Sequence, residues 1–199
     1  MARPAKPFGE ERSANLFSAA SHEFLEHGYR GASLNRILTR AGIAKSSFYH
    51  YFPDKAGLFD ALVREYGAGF EGLLSFDGTD TPSVTDALVT VAERIRALAA
   101  ADPRSFALGR ILALVDAPVT PAVEKFRTSI GTGLIRLLIR WRGSGEVSAA
   151  LPLRLQLRAV GAVIDVADRW VLASGMTQES VGHALRLIED AFRPRAGGA

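Results

Sequence analysis

The chain has no cysteine, which excludes disulfides, thiol catalysis and cysteine-ligated metals. Only four of its 199 residues are histidine, and three of them (His22, His27 and His50) fall near the N-terminus. His22 and His27 flank two glutamates. They are five residues apart, whereas a zinc-binding helix needs histidines at i and i+4. The segment therefore reads as a solvated helix surface with local Glu–His pairs. No Ser/His/Asp grouping, phosphate-binding glycine loop or metal-ligand spacing is present, so no catalytic residue, cofactor or metal is expected. No apolar run approaches the ~20 residues of a membrane span, and MARPAKPFGEE lacks the apolar core of a signal peptide. A cytoplasmic protein is the expectation. An all-helical enzyme remains the alternative class, without residues to carry it.

What is present is helical periodicity, strong enough at 48% hydrophobic residues to bury a sizeable core. We expect an all-α fold of about nine helices. Residues 1–9 read as disordered; a minor-groove contact by Arg3 and Lys6 is the alternative. The first helix spans about Glu10–His27, with Leu16, Phe17, Ala20, Phe24 and Leu25 on one side and Gly28 as its stop. Short helices follow Ser33 and span about Ala44–Phe52, where Pro53 ends the second. A fourth helix starts near Asp54 and carries Leu58, Phe59, Leu62, Tyr66 and Phe70. Ser75–Pro82 is a break. Ser83, Asp102-Pro103 and Thr120-Pro121 each mark a further helix start, the last running to about Arg142. Helix eight spans about Leu153–Ser174. Thr177 caps the ninth, which runs to about Phe192.

Charge is unevenly placed. Residues 28–55 contain Arg30, Arg36, Arg40, Lys45 and Lys55 against Asp54 alone, a net +4 within a chain of net +3. A local positive field is what binding to phosphates requires; a solvated basic face is the alternative use.

The same segment carries a motif. In SLNRILTRAGIAKSSFYHYFPDKAGLF, residues 33–59, two short amphipathic helices flank Gly42. An aromatic run of Phe48, Tyr49, Tyr51 and Phe52 follows, then Asp54-Lys55 at a helix start. Spacing, turn and aromatic run together resemble the helix-turn-helix of the TetR family of bacterial regulators over roughly residues 13–62. The resemblance implies a three-helix DNA-binding domain over residues 10–53, and a ligand-binding and dimerisation domain over residues 54–193.

Such a motif lays its second helix in the DNA major groove. The resemblance points Lys45, Ser46, Ser47, Tyr49 and His50 toward DNA. Asn35, at the start of its helix, is placed to reach a base edge, where Asn pairs with adenine and Lys with guanine. Ser33, Tyr49 and Lys55 are assigned to phosphates, which position without reading sequence. Phe48 and Phe52 are assigned to the core; Tyr51 is open between core and DNA.

The family pairs its last two helices in a dimer, and both carry apolar stripes here: Leu155, Ala159, Ala162, Val163, Val166 and Trp170, then Val181, Ala184, Leu185, Ile188 and Phe192; lining the core of a monomer is the alternative. A homodimer through them implies a palindromic operator in double-stranded DNA. Asp165 and Arg169 are spaced to pair. A small apolar or aromatic effector would sit among Phe70, Phe106, Arg110, Phe126, Ile130, Leu134, Trp141 and Trp170, with Gly131 and Gly133 leaving room; core packing is the alternative for each. The functional expectation is a repressor released from its operator by that ligand. A regulator without a small-molecule effector is the alternative.

Overall fold

The computed structural model describes residues 9–76, 82–112, 114, 116–175 and 177–192, without the side chains of residues 105 and 106. The tail bearing Arg3 and Lys6 lies outside them, as does most of the break between Ser75 and Pro82. Every regular element among the described residues is helical: α1 (Glu10–Gly31), α2 (Leu34–Ala41), α3 (Lys45–Tyr51), α4 (Lys55–Gly67), a 3-10 turn (Ala68–Phe70), α5 (Val84–Ala101), α6 (Pro103–Leu112), α7 (Pro121–Ser144), α8 (Leu153–Ser174) and α9 (Gln178–Phe192).

Local chemistry sets these boundaries. Gly28 sits at φ 68°, ψ 173° inside α1, a conformation open essentially only to glycine, so the regular helix stops near His27 and a turn follows. Ser33 caps α2 by accepting from Arg36 N. Gly42 closes α2 in the left-handed region at φ 66°, and Ile43 N reaches back to Leu38 O at 3.0 Å, the wrap that a glycine after a helix permits. Asp54 caps α4 through Gly57 N at 2.8 Å. A side chain at Gly57 would come within 2.8 Å of Pro53 Cδ, so the α3–α4 corner requires glycine there. Phe70, placed on the fourth helix by its spacing, lies instead in the 3-10 turn after it.

The chain packs as two compact units. The first is Met1–Gly69 with Arg104–Lys125; the second is Phe70–Pro103 with Phe126–Ala199. A division by function at Pro53–Asp54 is thus not the division of packing: α4, most of α6 and the start of α7 belong with the helix-turn-helix. In the first unit, Leu16, Phe24, Ile37, Phe48, Leu58, Phe59 and Leu62 are wholly buried, as are Leu108, Ile111 and Val123 from the later segment. Phe24, Tyr29 and Phe59 meet ring to ring at 5.3–5.7 Å. Asp60 of α4 accepts from Ala122 N at 2.8 Å, fixing the first turn of α7.

The core of the second unit joins Val84 and Ala87 of α5, Leu137, Leu138 and Trp141 of α7, Val147, Val160 of α8 and Phe192 of α9. Trp141 packs edge-on against Phe192 at 5.2 Å and donates its indole N–H to Pro82 O at 2.8 Å. Trp141 is therefore a core residue whose polar atom is satisfied, not a ligand-lining one. Arg142 ties the connection to α8 by donating to Leu151 O, Ala149 O and Gln156 Oε1.

The two C-terminal stripes part company. On α9, Ala184 and Phe192 are buried, and Ile188 packs against the core. On α8, Leu155, Val166 and Trp170 are exposed, the last two at 59% and 53%. Trp170 is thus on an outward helix face, apart from the buried Trp141. Asp165 and Arg169 pair at 2.9 Å on the same exposed side. No helix among the described residues is long and apolar enough to cross a membrane.

Candidate nucleic-acid interface

Helix α3 has only seven residues, and a single buried side chain, Phe48, anchors it. Phe48 stacks on Phe52 at 5.4 Å and meets Tyr49 edge-on at 5.3 Å. The remaining positions look outward: Lys45, Ser46, Ser47 and His50 are exposed, and Tyr49 keeps 49% of its surface in solvent. Tyr51, left open by the sequence, is also exposed, its ring against His50 at 4.9 Å. Asn35 is exposed in the first turn of α2. One short helix therefore presents a cation, two hydroxyls, an imidazole and two phenols to solvent, and α2 presents an amide. This inventory suits hydrogen bonding to base edges and phosphates.

Behind that surface lies a polar framework that the sequence pattern did not reveal. Glu23, assigned to a solvated face by its neighbours, is buried. Its carboxylate accepts from Ser33 N and Arg36 Nε, each at 2.8 Å. The Arg36 guanidinium beside it, and the Ser33 N–H, hold Glu23 below its ordinary pKa against the opposing effect of burial. Arg36 also donates to Gly31 O at 3.1 Å. Arg36 is thus structural rather than one of the free cations of the basic segment. The exposed His22–Glu26 pair at 3.2 Å does match the local pairing read from the sequence.

Lys55 has a comparable place. Its ammonium donates to Tyr29 O at 2.6 Å, Ala32 O at 2.9 Å and Arg30 O at 3.4 Å, and sits 4.6 Å above the Tyr29 ring. Burial pushes its pKa down, while Asp116 and Glu23 push it up. With three carbonyls as partners, Lys55 fastens the turn after α1 to the start of α4. Ser33 is likewise occupied as a cap. The residues assigned to phosphates by sequence thus divide into Tyr49, which faces solvent, and Ser33 and Lys55, which hold the backbone that aims α3.

The expected ligand-lining residues are scattered. A groove of about 210 Å³ is lined by Phe70, Leu73, Leu74, Ser75, Ser129, Ile130, Thr132, Gly133 and Arg136, among others. Of the sequence candidates, Phe70 and Ile130 line it. Phe126 meets Phe70 edge-on at 5.4 Å, Leu134 packs on the core and Arg110 is exposed. The Phe106 side chain is outside the described set. Gly133 leaves no spare room, because a Cβ there would lie 2.6 Å from Leu74 Cβ; Gly131 faces open space.

A family model for bacterial regulatory proteins of the tetR family matches residues 16–62, the stretch that builds this surface. The HTH-type transcriptional repressor AcnR of Corynebacterium glutamicum is 28% identical over 90% of this chain and 92% of its own length. An uncharacterised HTH-type transcriptional regulator of Bacillus subtilis, YdgC, is 30% identical over 45% of this chain; the chain matches about half of that relative, 48%. Among solved structures, the fatty acid degradation regulator FadR of Bacillus halodurans aligns at a TM-score of 0.69 with 18% identity. The alignment covers 98% of this chain and 100% of that one. FadR of Bacillus subtilis in complex with stearoyl-CoA aligns at 0.67 with 19% identity, over 90% and 97%. Residues 16–62 thus match the tetR family of bacterial regulatory proteins, and the all-helical fold of the chain is similar to that of these solved regulators.

Proposed function

We infer that the protein is a DNA-binding transcription regulator that acts as a repressor. It lays α3 in the major groove, with Lys45, Ser46, Ser47, Tyr49 and His50 toward the DNA and Asn35 at an adjacent base edge. The observation that carries this reading is the surface of α3: Phe48 is wholly buried while those five neighbours are exposed. A helix this short, held by one aromatic and backed by a hydrogen-bonded turn, has little use other than to present that surface. The relatives named as regulators support it, and on their account the enzyme alternative is set aside.

In this reading the protein works as a homodimer. The exposed row of Leu155, Ala159, Ala162, Val166 and Trp170 on α8 supports this, because a contiguous exposed apolar strip with small residues at its centre suits close packing against a second copy. Two copies on one DNA face imply a palindromic operator whose half-site centres lie about 34 Å apart, or a multiple of that. Selection of wild-type protein against a random duplex pool tests the reading; an inverted repeat is the expected product.

A small effector would occupy the groove beside Phe70 and Ile130. The FadR structure of Bacillus subtilis holds stearoyl-CoA. The groove here, about 210 Å³, is below the ~300–1,000 Å³ usual for ligand pockets. It favours a compact ligand with one apolar side, against Phe70, Leu73 and Ile130, and one polar side, toward Ser75, Ser129 and Arg136. A thermal-shift screen with small aromatic acids and alcohols, followed by titration with and without operator, tests this. Reciprocal weakening of ligand and DNA is the signature of an inducer, and about 1.4 kcal/mol of coupling suffices for a tenfold release.

A further inference from the structure

The turn after α1 decides how α2, and α3 behind it, leave the first helix. Its backbone polar groups are held from several directions. Lys55 takes the carbonyls of Tyr29, Arg30 and Ala32, Arg36 takes that of Gly31 and Glu23 takes the Ser33 N–H. These three anchors lie within the first four helices. A fourth does not. Asp116, on the connection between α6 and α7, accepts from Tyr29 N at 3.1 Å through one oxygen and from Arg30 N at 2.7 Å through the other. The two bonds join positions 87 and 86 residues apart. The fit is close: a Cβ on Gly28 would lie 3.1 Å from Asp116 Oδ2, so the glycine that turns the chain also admits the carboxylate. Both N–H donors hold Asp116 below the usual carboxylate range.

We propose that Asp116 is a positioning residue for DNA binding, a carboxylate supplied by the α6–α7 connection that fixes the turn on which the helix-turn-helix is aimed. The inference rests on the DNA-binding reading above. It adds that the aim of α3 depends on a residue far outside the helix-turn-helix. The far end of the connection runs into α7, whose first turn is pinned by Asp60, and Ser129, Ile130, Thr132, Gly133 and Arg136 of the same helix line the groove.

The sign of one substitution separates positioning from plain charge. Asp116→Asn removes a negative charge from a unit that must approach phosphates, so electrostatics alone would tighten binding. Loss of positioning would weaken it, because an amide cannot accept both N–H groups as the carboxylate does. The experiment takes full-length wild type, Asp116→Asn and Asp116→Ala, and an operator duplex enriched by the wild type from a random pool. Affinities are measured across a salt series, at a temperature where melting curves show each protein folded. The expected result is weakening of about tenfold or more for Asp116→Ala and an intermediate loss for Asp116→Asn. The salt slope should change little, since no phosphate-facing side chain is removed, and amide exchange at Tyr29 and Arg30 should be faster. If Asp116→Ala fails to fold, Asp116→Asn decides alone. Unchanged or tighter operator binding by Asp116→Asn, even with faster amide exchange, overturns the proposal and leaves Asp116 a stability contact. A wild type that enriches no sequence instead removes the DNA-binding reading, and the proposal with it.

Discussion

Helices α8 and α9 look alike in the sequence and end in opposite environments. Each carries an apolar stripe at helical spacing, for which the resemblance implies one dimer interface and the core of a monomer is the alternative. In the structure the α9 stripe turns into the core, with Phe192 against Trp141 and Ile188 beside it. The α8 stripe turns outward and leaves Leu155, Val166 and Trp170 exposed. Periodicity reports that a helix has an apolar side, not what covers that side. The difference lies in what the rest of the chain offers: α9 meets both α5 and α8, whereas nothing among the described residues covers the outer face of α8.

The comparison can be broken by placing the same charge on each helix. Ile188→Glu should cost on the order of 3 kcal/mol or more, because it puts an unpaired carboxylate against an apolar core. A large fall in melting temperature, and not a folded monomer, is the expected readout. Val166→Glu should leave the monomer's stability within about 0.5 kcal/mol of wild type and, on the dimer reading, sediment at half the mass. Equal melting losses from the two variants would mean that the stripes are not different.

A similar contrast sits within α7. Gly133→Ala should destabilise by about 1–3 kcal/mol through overpacking against Leu74, whereas Gly131→Ala, facing open space, should stabilise by up to about 1 kcal/mol through helix propensity. Melting curves of the two variants test this directly. A stabilised Gly133→Ala would show that the close approach of Leu74 is loosely held.

Trp170→Ala, on the same outward face of α8, should have a smaller effect. Melting of the monomer should barely change, while the dimer dissociation constant from sedimentation should rise several-fold. An unchanged dissociation constant would move the interface elsewhere.

The smallest expected effect is a pH dependence. Glu23 has a folded pKa below its ordinary 4.5, chiefly because of its bond to Arg36. Its stabilising contribution is complete above that ordinary value and is lost as pH falls through the lowered folded value. Glu23→Gln should flatten this acid limb of the stability curve, and an unaltered limb would show that other carboxylates carry it.

These contrasts mark how far the sequence could be read. Local signals were reliable: Ser33, Gly42, Asp54 and Thr120-Pro121 set helix ends within a residue or two, because caps and glycine turns act over three or four residues. The exposed row on α3 follows the positions that the family resemblance points outward. Relations across the chain were not legible. Nothing near Glu23 or Asp116 signals that their carboxylates hold a turn ten and more than eighty residues away. Lys55 matched a family position, yet its three carbonyl partners appear only once α1 and α4 are packed. Trp141 and Trp170 share a place among the candidate ligand-lining residues and are separated by packing, one into the core and one into solvent.

The DNA-binding reading rests on the outward residues of α3. The most direct test is sequence selection from a random duplex pool, run in parallel with wild type and with a variant carrying Lys45→Ala, Ser47→Ala and Tyr49→Ala. All three positions are exposed, so the variant should fold as the wild type does. The wild type should enrich an inverted repeat with half-site centres about 34 Å apart, and the variant should enrich none at the same concentration. Enrichment of the same repeat with equal affinity by the variant would contradict that reading.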